Sequence, residues 1–227
     1  MKILAIQNRM GIGDMVIFLP YIEAVAKKYN GQVTLLVKEN SKAEHLIKDN
    51  KYINEIIILK RDKTNKSFHD GLNGFFRLVS DIKKYQFDKV LIFNSSLRYK
   101  LVCKFAGIND IYQYPLFKKK NQHIIEAANK LLKNNFNLEI KSDPVIDVKD
   151  ENVQKIKLKF NFSEEVKNIL LGIGGSGPTK RIPPKIFIEF MNLCLKNFKC
   201  RFFLATGNKN EEIKIMNEIL SYHKNLC

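Results

Sequence analysis

A chain of 227 residues, 45% hydrophobic and 27% charged, is long enough for one large domain or two small ones and has the balance of an ordinary globular protein. Its apolar run at 15–22 is too short to span a bilayer and contains Pro20, and MKILAI passes at once into Gln7, Asn8 and Arg9, so no signal-peptide core is present in the sequence and a cytoplasmic protein is expected. The net charge of +16 points to an anionic partner, but lysine dominates the excess and is spread over the whole chain without interleaved aromatics, so nucleic acid is not an expected partner.

In chain order, short β-branched runs alternate with amphipathic stretches. Strands are predicted at 2–7, 32–38, 54–60, 88–94 and, with a weaker pattern, 110–114. Helices are predicted between and after them, at 14–29, 41–49, 70–84, 96–106 and 122–135. Such alternation implies parallel strands joined by crossovers, an open α/β sheet. Beyond Phe136 the pattern loosens into a connector with a short extended piece around Val145 to Val148 and a polar helix at 150–159. A second α/β unit follows: a strand at 168–174, a glycine-rich loop, a helix at 184–198, a strand at 200–207 and a helix at 209–222. The expected domains are 1–160 and 161–227, the second holding fewer strands than an independent sheet usually needs.

Cys103, Cys194, Cys200 and Cys227 form no CxxC pair and have no histidines at zinc spacing; His45, His69, His123 and His223 are equally scattered. Free thiols are expected, with neither a metal site nor a cofactor.

Two glycine loops carry the chemistry. NRMGIGDMV (8–16) follows the first strand, but Val16 stands where a dinucleotide fingerprint needs its third glycine. What is left is a tight turn at the carboxyl end of a strand, where open sheets bind ligands. Asp14 in that turn reads either as a helix N-cap or as a general base. LGIGGSGPTKRIPP (171–184) fails as a P-loop because Pro178 follows Gly177, and fails as a nucleophile elbow for the same proline. Its ingredients still suit a pyrophosphate: small residues expose backbone N–H groups, Ser176 and Thr179 offer hydroxyls, Lys180 a charge, and Pro183 and Pro184 open a helix. A solvated Lys-Arg pair on a flexible loop is the alternative.

Gly11, Gly13, Asp14 and Pro20, followed by YIEAVAKKYNGQVTLLVKENSKAEHLIKDNKYINEII, then FDKVLIFNSSLRYKLVCKFAGI and GIGGSGPTKRIPPKIFIEFMNLC, together resemble glycosyltransferase family 9, the lipopolysaccharide heptosyltransferases. Ile182 replaces the tryptophan usual in the family's Lys-Arg-Trp-Pro motif. The resemblance implies a GT-B fold: two Rossmann-like α/β domains with parallel sheets facing across a cleft, acceptor on the first and nucleotide sugar on the second. It implies inverting transfer of a sugar, heptose from ADP-heptose above all, to a lipopolysaccharide core acceptor. Asp14 matches the family's catalytic base, and Ser176, Gly177, Thr179 and Lys180 match its donor-phosphate loop. Glu211 matches an acidic residue near the donor ribose.

Gly13, Arg98, Lys118 and Lys119 are expected to meet the acceptor, an acidic lipid-linked saccharide reached by peripheral association with the inner membrane face. The family's later Asp-(Ser/Thr)-Gly-x-x-His motif has no counterpart before Cys227, so the donor domain is expected to be truncated. A non-catalytic anion- or nucleotide-binding α/β protein is the competing expectation.

Overall fold

The computed structural model describes residues 1–9, 11–47, 49–61, 67–116, 122–175 and 177–222. They form two compact units, Met1–Asp147 and Val148–Cys227. Unit 1 runs β1 (Ile3–Gln7), α1 (Ile12–Lys28), β2 (Val33–Lys38), α2 (Ala43–Leu46), β3 (Ile53–Leu59), α3 (Gly71–Lys83), β4 (Lys89–Ile92), α4 (Leu97–Phe105), β5 (Asp110–Gln113) and α5 (Ile124–Phe136). Its five strands lie in the order β3-β2-β1-β4-β5, and every pairing is parallel.

Burial explains the order. ILAIQ of β1 and VTLLV of β2 are buried throughout, as central strands covered on both faces must be. The edge strands β3 and β5 alternate or lie half-exposed. Helices cover both faces. One layer packs Met15, Phe18, Ile22 and Val25 of α1 and Leu131, Leu132 and Phe136 of α5 against Ile3, Ala5, Leu35 and Val37. The other packs Leu78 and Ile82 of α3 and Tyr99, Val102 and Cys103 of α4 against Leu4, Ile6, Leu36 and Val90. The chain moves from β1 to β2 on one side and from β4 to β5 on the other. The β1 and β4 carboxyl ends therefore flank the topological switch point, the crevice where open α/β sheets take ligands.

Unit 2 contains α6 (Asp150–Lys159), β6 (Lys167–Gly172), α7 (Pro184–Asn197), β7 (Cys200–Ala205) and α8 (Asn210–Tyr222), with β6 and β7 paired in parallel. Ile173, Phe187, Met191, Phe202 and Ile219 form its core. The expected boundary at 160/161 falls later than the division after Asp147. The reason is that the end of α6 belongs to unit 2: Arg201 Nη1 donates to the Phe160 carbonyl at 2.9 Å, and the Phe160 and Phe162 rings pack on Phe203.

Two local expectations are corrected. The helix predicted at 41–49 is only the single turn Ala43–Leu46, because Lys42 adopts a left-handed φ of 53° that separates it from the 3-10 turn Glu39–Ser41. The N-cap of α1 is not Asp14 but Gly11, three residues earlier. Cys103, Cys194 and Cys200 are free and buried; Cys227 lies outside the described residues.

Candidate functional site

The switch-point turn of unit 1 begins where Gln7, itself buried, accepts the Arg9 backbone N–H at 3.0 Å through Oε1. Gly11 then takes φ 110° and ψ 159°, a conformation open to glycine almost alone, and this lets α1 start at Ile12. We therefore expect Gly11→Ala to lower unit 1 stability by about 1–3 kcal/mol in urea unfolding; a change under about 0.5 kcal/mol would show that the turn relaxes freely. Gly13, second residue of the helix, leaves open space where a side chain would project.

Asp14 lies at the third helical position, where a carboxylate interacts favourably with the unpaired N–H groups of the first turn. Its carboxylate lies 3.9 Å from the Arg9 guanidinium. With 27% of its side chain exposed, the carboxylate is reachable.

Beside the turn, a cavity of about 440 Å³ is lined by Arg9, Ser95, Gln113, Tyr114, Gln122 and Lys130, among others. It gathers the residues that follow the carboxyl ends of β1, β4 and β5. Gln113 donates through Nε2 to the Ser96 carbonyl at 2.9 Å, while its Oε1 and the Tyr114 hydroxyl are buried without a partner among the described residues. Burial pushes the Tyr114 phenol up, so it is a neutral hydrogen-bonding group at physiological pH. A cavity lined by polar side chains and by the cations Arg9 and Lys130 suits a polar, anionic guest.

Arg98, expected at the acceptor, donates from Nη2 to the backbone carbonyls of His69 and Gly71, each at 2.9 Å, and lies over the Phe75 ring. Its guanidinium thereby ties the start of α4 to the segment before α3. Burial, and then the Arg61 charge, lower its pKa. His69 completes the brace: Nδ1 accepts the Lys60 N–H at 3.1 Å, which leaves Nε2 as the protonated nitrogen donating to Asp81 at 3.1 Å. Lys118 and Lys119 lie outside the described residues.

Unit 2 builds its loop around a buried carboxylate. After β6, the Gly175 N–H donates to Glu212 Oε1 at 3.0 Å, and Arg181 Nε donates to the Gly175 carbonyl at 3.3 Å. A methyl group on Gly175 would fall 2.8 Å from the Lys180 carbonyl oxygen, and one on Gly207 would fall 2.3 Å from Glu212 Oε2. At Gly175 the obstacle is backbone, so a side chain there would force the loop to shift, whereas at Gly207 it is the Glu212 carboxylate that would have to give way. The result folds Gly177 through Lys180 back in a 3-10 turn, Lys180 N–H to Gly177 O at 3.0 Å, with Thr179 and Lys180 exposed. α7 begins immediately afterwards, with Pro183 at its N-cap and Pro184 at its first position. Ser176 lies outside the described residues.

Glu211 and Glu212 diverge. The Glu211 carboxylate is largely exposed, 3.9 Å from Arg181 Nη2, whereas Glu212 is buried against the glycine loop. Sequence reasoning missed Glu212; the available signal was a carboxylate five residues past Gly207, a position that needs no side chain.

Among the described residues, no group of three or more His, Cys, Asp or Glu is placed to hold a metal ion, and no helix is long and apolar enough to cross a membrane.

Comparison with sequence families and with curated proteins gives no match. Solved structures do match in fold. The glycosyl transferase family 9 protein of Veillonella parvula superposes with a TM-score of 0.74 at 18% identity, covering 97% of this chain and 66% of that one. The E. coli ADP-heptose lps heptosyltransferase II gives 0.67 at 18% identity, covering 98% and 69% of the two chains. The E. coli heptosyltransferase WaaC with ADP gives 0.66 at 13%, covering 97% and 72%. This chain thus has the α/β architecture of GT-B glycosyltransferases over about two thirds of their length.

Proposed function

We propose that the protein is a sugar transferase that uses a nucleotide diphosphate sugar, ADP-heptose being the best candidate, and an acidic, lipid-linked saccharide acceptor of the lipopolysaccharide core type. The observation that carries this reading is the braced glycine loop. Glu212 takes the Gly175 N–H and Arg181 its carbonyl, two successive peptides, so the turn ending at Lys180 is set before a ligand arrives. A departing diphosphate gathers negative charge as the bond from the anomeric carbon to its oxygen breaks. Lys180, Thr179, the N–H groups of the turn and the start of α7 are the groups in unit 2 that would stabilise that charge, with Ser176 and Gly177 completing the loop.

In unit 1 the acceptor sugar would occupy the cavity beside Arg9, with Lys130 and Arg9 drawing its acidic groups. Asp14 would take the proton of the acceptor hydroxyl as its oxygen attacks the anomeric carbon, with inversion. The open space at Gly13 would leave room for the sugar next to Asp14. Arg98 acts as a positioning residue through the backbone of His69 and Gly71, and Lys118 and Lys119 are the further basic groups proposed for the acceptor. Glu211 is the group proposed for the donor ribose. A cytoplasmic location follows from this reading, since the donor is a cytoplasmic metabolite class.

Calorimetric titration with ADP tests the core of the proposal. Lys180→Ala is expected to weaken ADP binding by about tenfold, the loss of one charge-assisted contact, while leaving thermal stability unchanged. ADP binding of equal strength in the variant would remove Lys180 from the site; an ADP response without any transfer from ADP-heptose would favour a nucleotide-binding protein that is not a transferase.

A further inference from the structure

On the face of unit 1 that carries α3 and α4, apolar side chains point into solvent. Of the nine large hydrophobic residues exposed among the described residues of unit 1, six lie here: Phe68, Leu72, Phe76, Leu97, Leu101 and Phe105. That concentration is the opposite of the single scattered exposures normal for a soluble surface. Leu72 is 80% exposed, and Phe76 and Phe105 are each 61% exposed.

Helical geometry makes the six a patch. Leu72 and Phe76 are four residues apart on α3; Leu97, Leu101 and Phe105 repeat at the same spacing on α4. Phe75 joins the two rows, its ring centroid 5.3 Å from that of Phe76 and 5.8 Å from that of Phe105. Arg77 covers the Phe68 ring at 4.7 Å.

The rim is basic. α3 and α4 carry Arg77, Lys83, Arg98, Lys100 and Lys104 against the single carboxylate Asp81, which is already paired with Lys84 and His69. Lys100 and Lys104 flank the Leu97–Leu101–Phe105 row, and Lys83 lies two turns from Phe76 on the same side of α3.

We infer that this face docks on an anionic lipid bilayer, with Leu72, Phe76 and Phe105 entering the interface and the surrounding lysines meeting lipid phosphates. Apolar side chains ringed by cations are the composition that interfacial binding requires: burial supplies affinity and the basic rim selects anionic lipid. Leu72 and Leu97 stand at the amino-terminal ends of their helices, directly after the loops that leave the carboxyl ends of β3 and β4. The patch therefore starts at the ligand-binding rim of the sheet. A saccharide whose lipid tail stays in the bilayer would be met there. The inference deepens the proposed transferase reading and rests on it for why a bilayer should be approached.

Co-sedimentation with vesicles tests it. The chain is expected to bind phosphatidylcholine vesicles doped with phosphatidylglycerol at least about tenfold more tightly than pure phosphatidylcholine, with binding that falls as salt rises. Leu72→Ser, Phe76→Ser and Phe105→Ser combined should weaken binding to the doped vesicles by about tenfold or more, with an unchanged circular dichroism spectrum and melting curve. Lys100→Glu with Lys104→Glu should do the same, whereas Lys157→Glu with Lys214→Glu, an equal charge change in unit 2, should not.

Wild-type binding by the triple variant would overturn the inference, as would an equal loss in the unit 2 pair. So would a dimer that the triple variant dissolves, in a wild-type chain that ignores vesicles. ADP calorimetry on the same variants separates the two proposals. Vesicle binding with no ADP response sinks the transferase reading alone, and ADP binding with no vesicle response sinks the docking surface alone.

Discussion

Asp14→Asn is expected to lower sugar transfer by about 10²–10⁴-fold, the range that a positioned general base contributes, while the protein folds and melts as before. The two halves of that expectation come from separate observations. Asp14 is not the N-cap of α1, and it meets Arg9 at 3.9 Å with both groups partly exposed. An exposed pair of that kind is worth about 0–1 kcal/mol, and a carboxylate in the first turn of a helix about 0.3–1 kcal/mol. Asparagine keeps the shape and loses little of the fold, but it cannot accept a proton. Affinity for ADP should also be unaffected, because the proposed phosphate loop belongs to unit 2. The measurement is single-turnover transfer from ADP-heptose, with ADP calorimetry and a thermal melt run alongside. Transfer within about threefold of wild type would reduce Asp14 to a helix-dipole partner; a parallel fall in melting temperature would make its role structural.

The architecture was legible in the sequence because the signal for it is periodic. ILAIQ and VTLLV are apolar without interruption, the mark of strands buried on both faces, and the runs between them change to helical spacing. β5 was legible only weakly, since DIYQ is a short, half-exposed edge strand. The start of α1 was misplaced because aspartate is a favoured cap, whereas the turn is made by a glycine at φ 110° three residues earlier. Conformation at Gly11, like that at Lys42, is backbone information that a residue type only partly encodes.

Arg98 shows a different limit. A cation just past a strand end looks like a ligand group, yet its acceptors are the main-chain carbonyls of His69 and Gly71, which every residue type supplies equally. The apolar patch of α3 and α4 was concealed too. Leu72, Phe76 and Phe105 fall within helices predicted from periodicity alone, and only the packing of Leu78, Ile82, Val102 and Cys103 against the sheet shows which face was left over.

The largest effect expected in unit 2 comes from the residue that adjacency hid. Glu211 and Glu212 are chemically identical and successive on α8, but about 100° of helical turn points one to solvent and the other at the glycine loop. Glu212 is 5% exposed, accepts the Gly175 N–H at 3.0 Å, and would have to shift to admit a side chain at Gly207.

Glu212→Ala leaves that N–H without its partner, at about 1–3 kcal/mol, and removes the packing that Gly174 and Gly207 close upon. Unit 2 should therefore lose about 2–4 kcal/mol of stability in urea unfolding. ADP affinity should fall by about tenfold or more, because the peptide that sets the turn toward Lys180 is no longer held. Glu212→Gln keeps an acceptor for Gly175 and should cost about 1 kcal/mol; Glu211→Ala, with its carboxylate in solvent and Arg181 at 3.9 Å, should change stability by no more than about 0.5 kcal/mol. Stability separates a brace from a surface charge, and ADP calorimetry separates a brace from a ligand contact. If Glu212→Ala weakens ADP binding without any loss of stability, Glu212 touches the nucleotide itself. If neither quantity changes, the loop keeps its shape without the carboxylate, and the pre-set turn can no longer carry the proposed function.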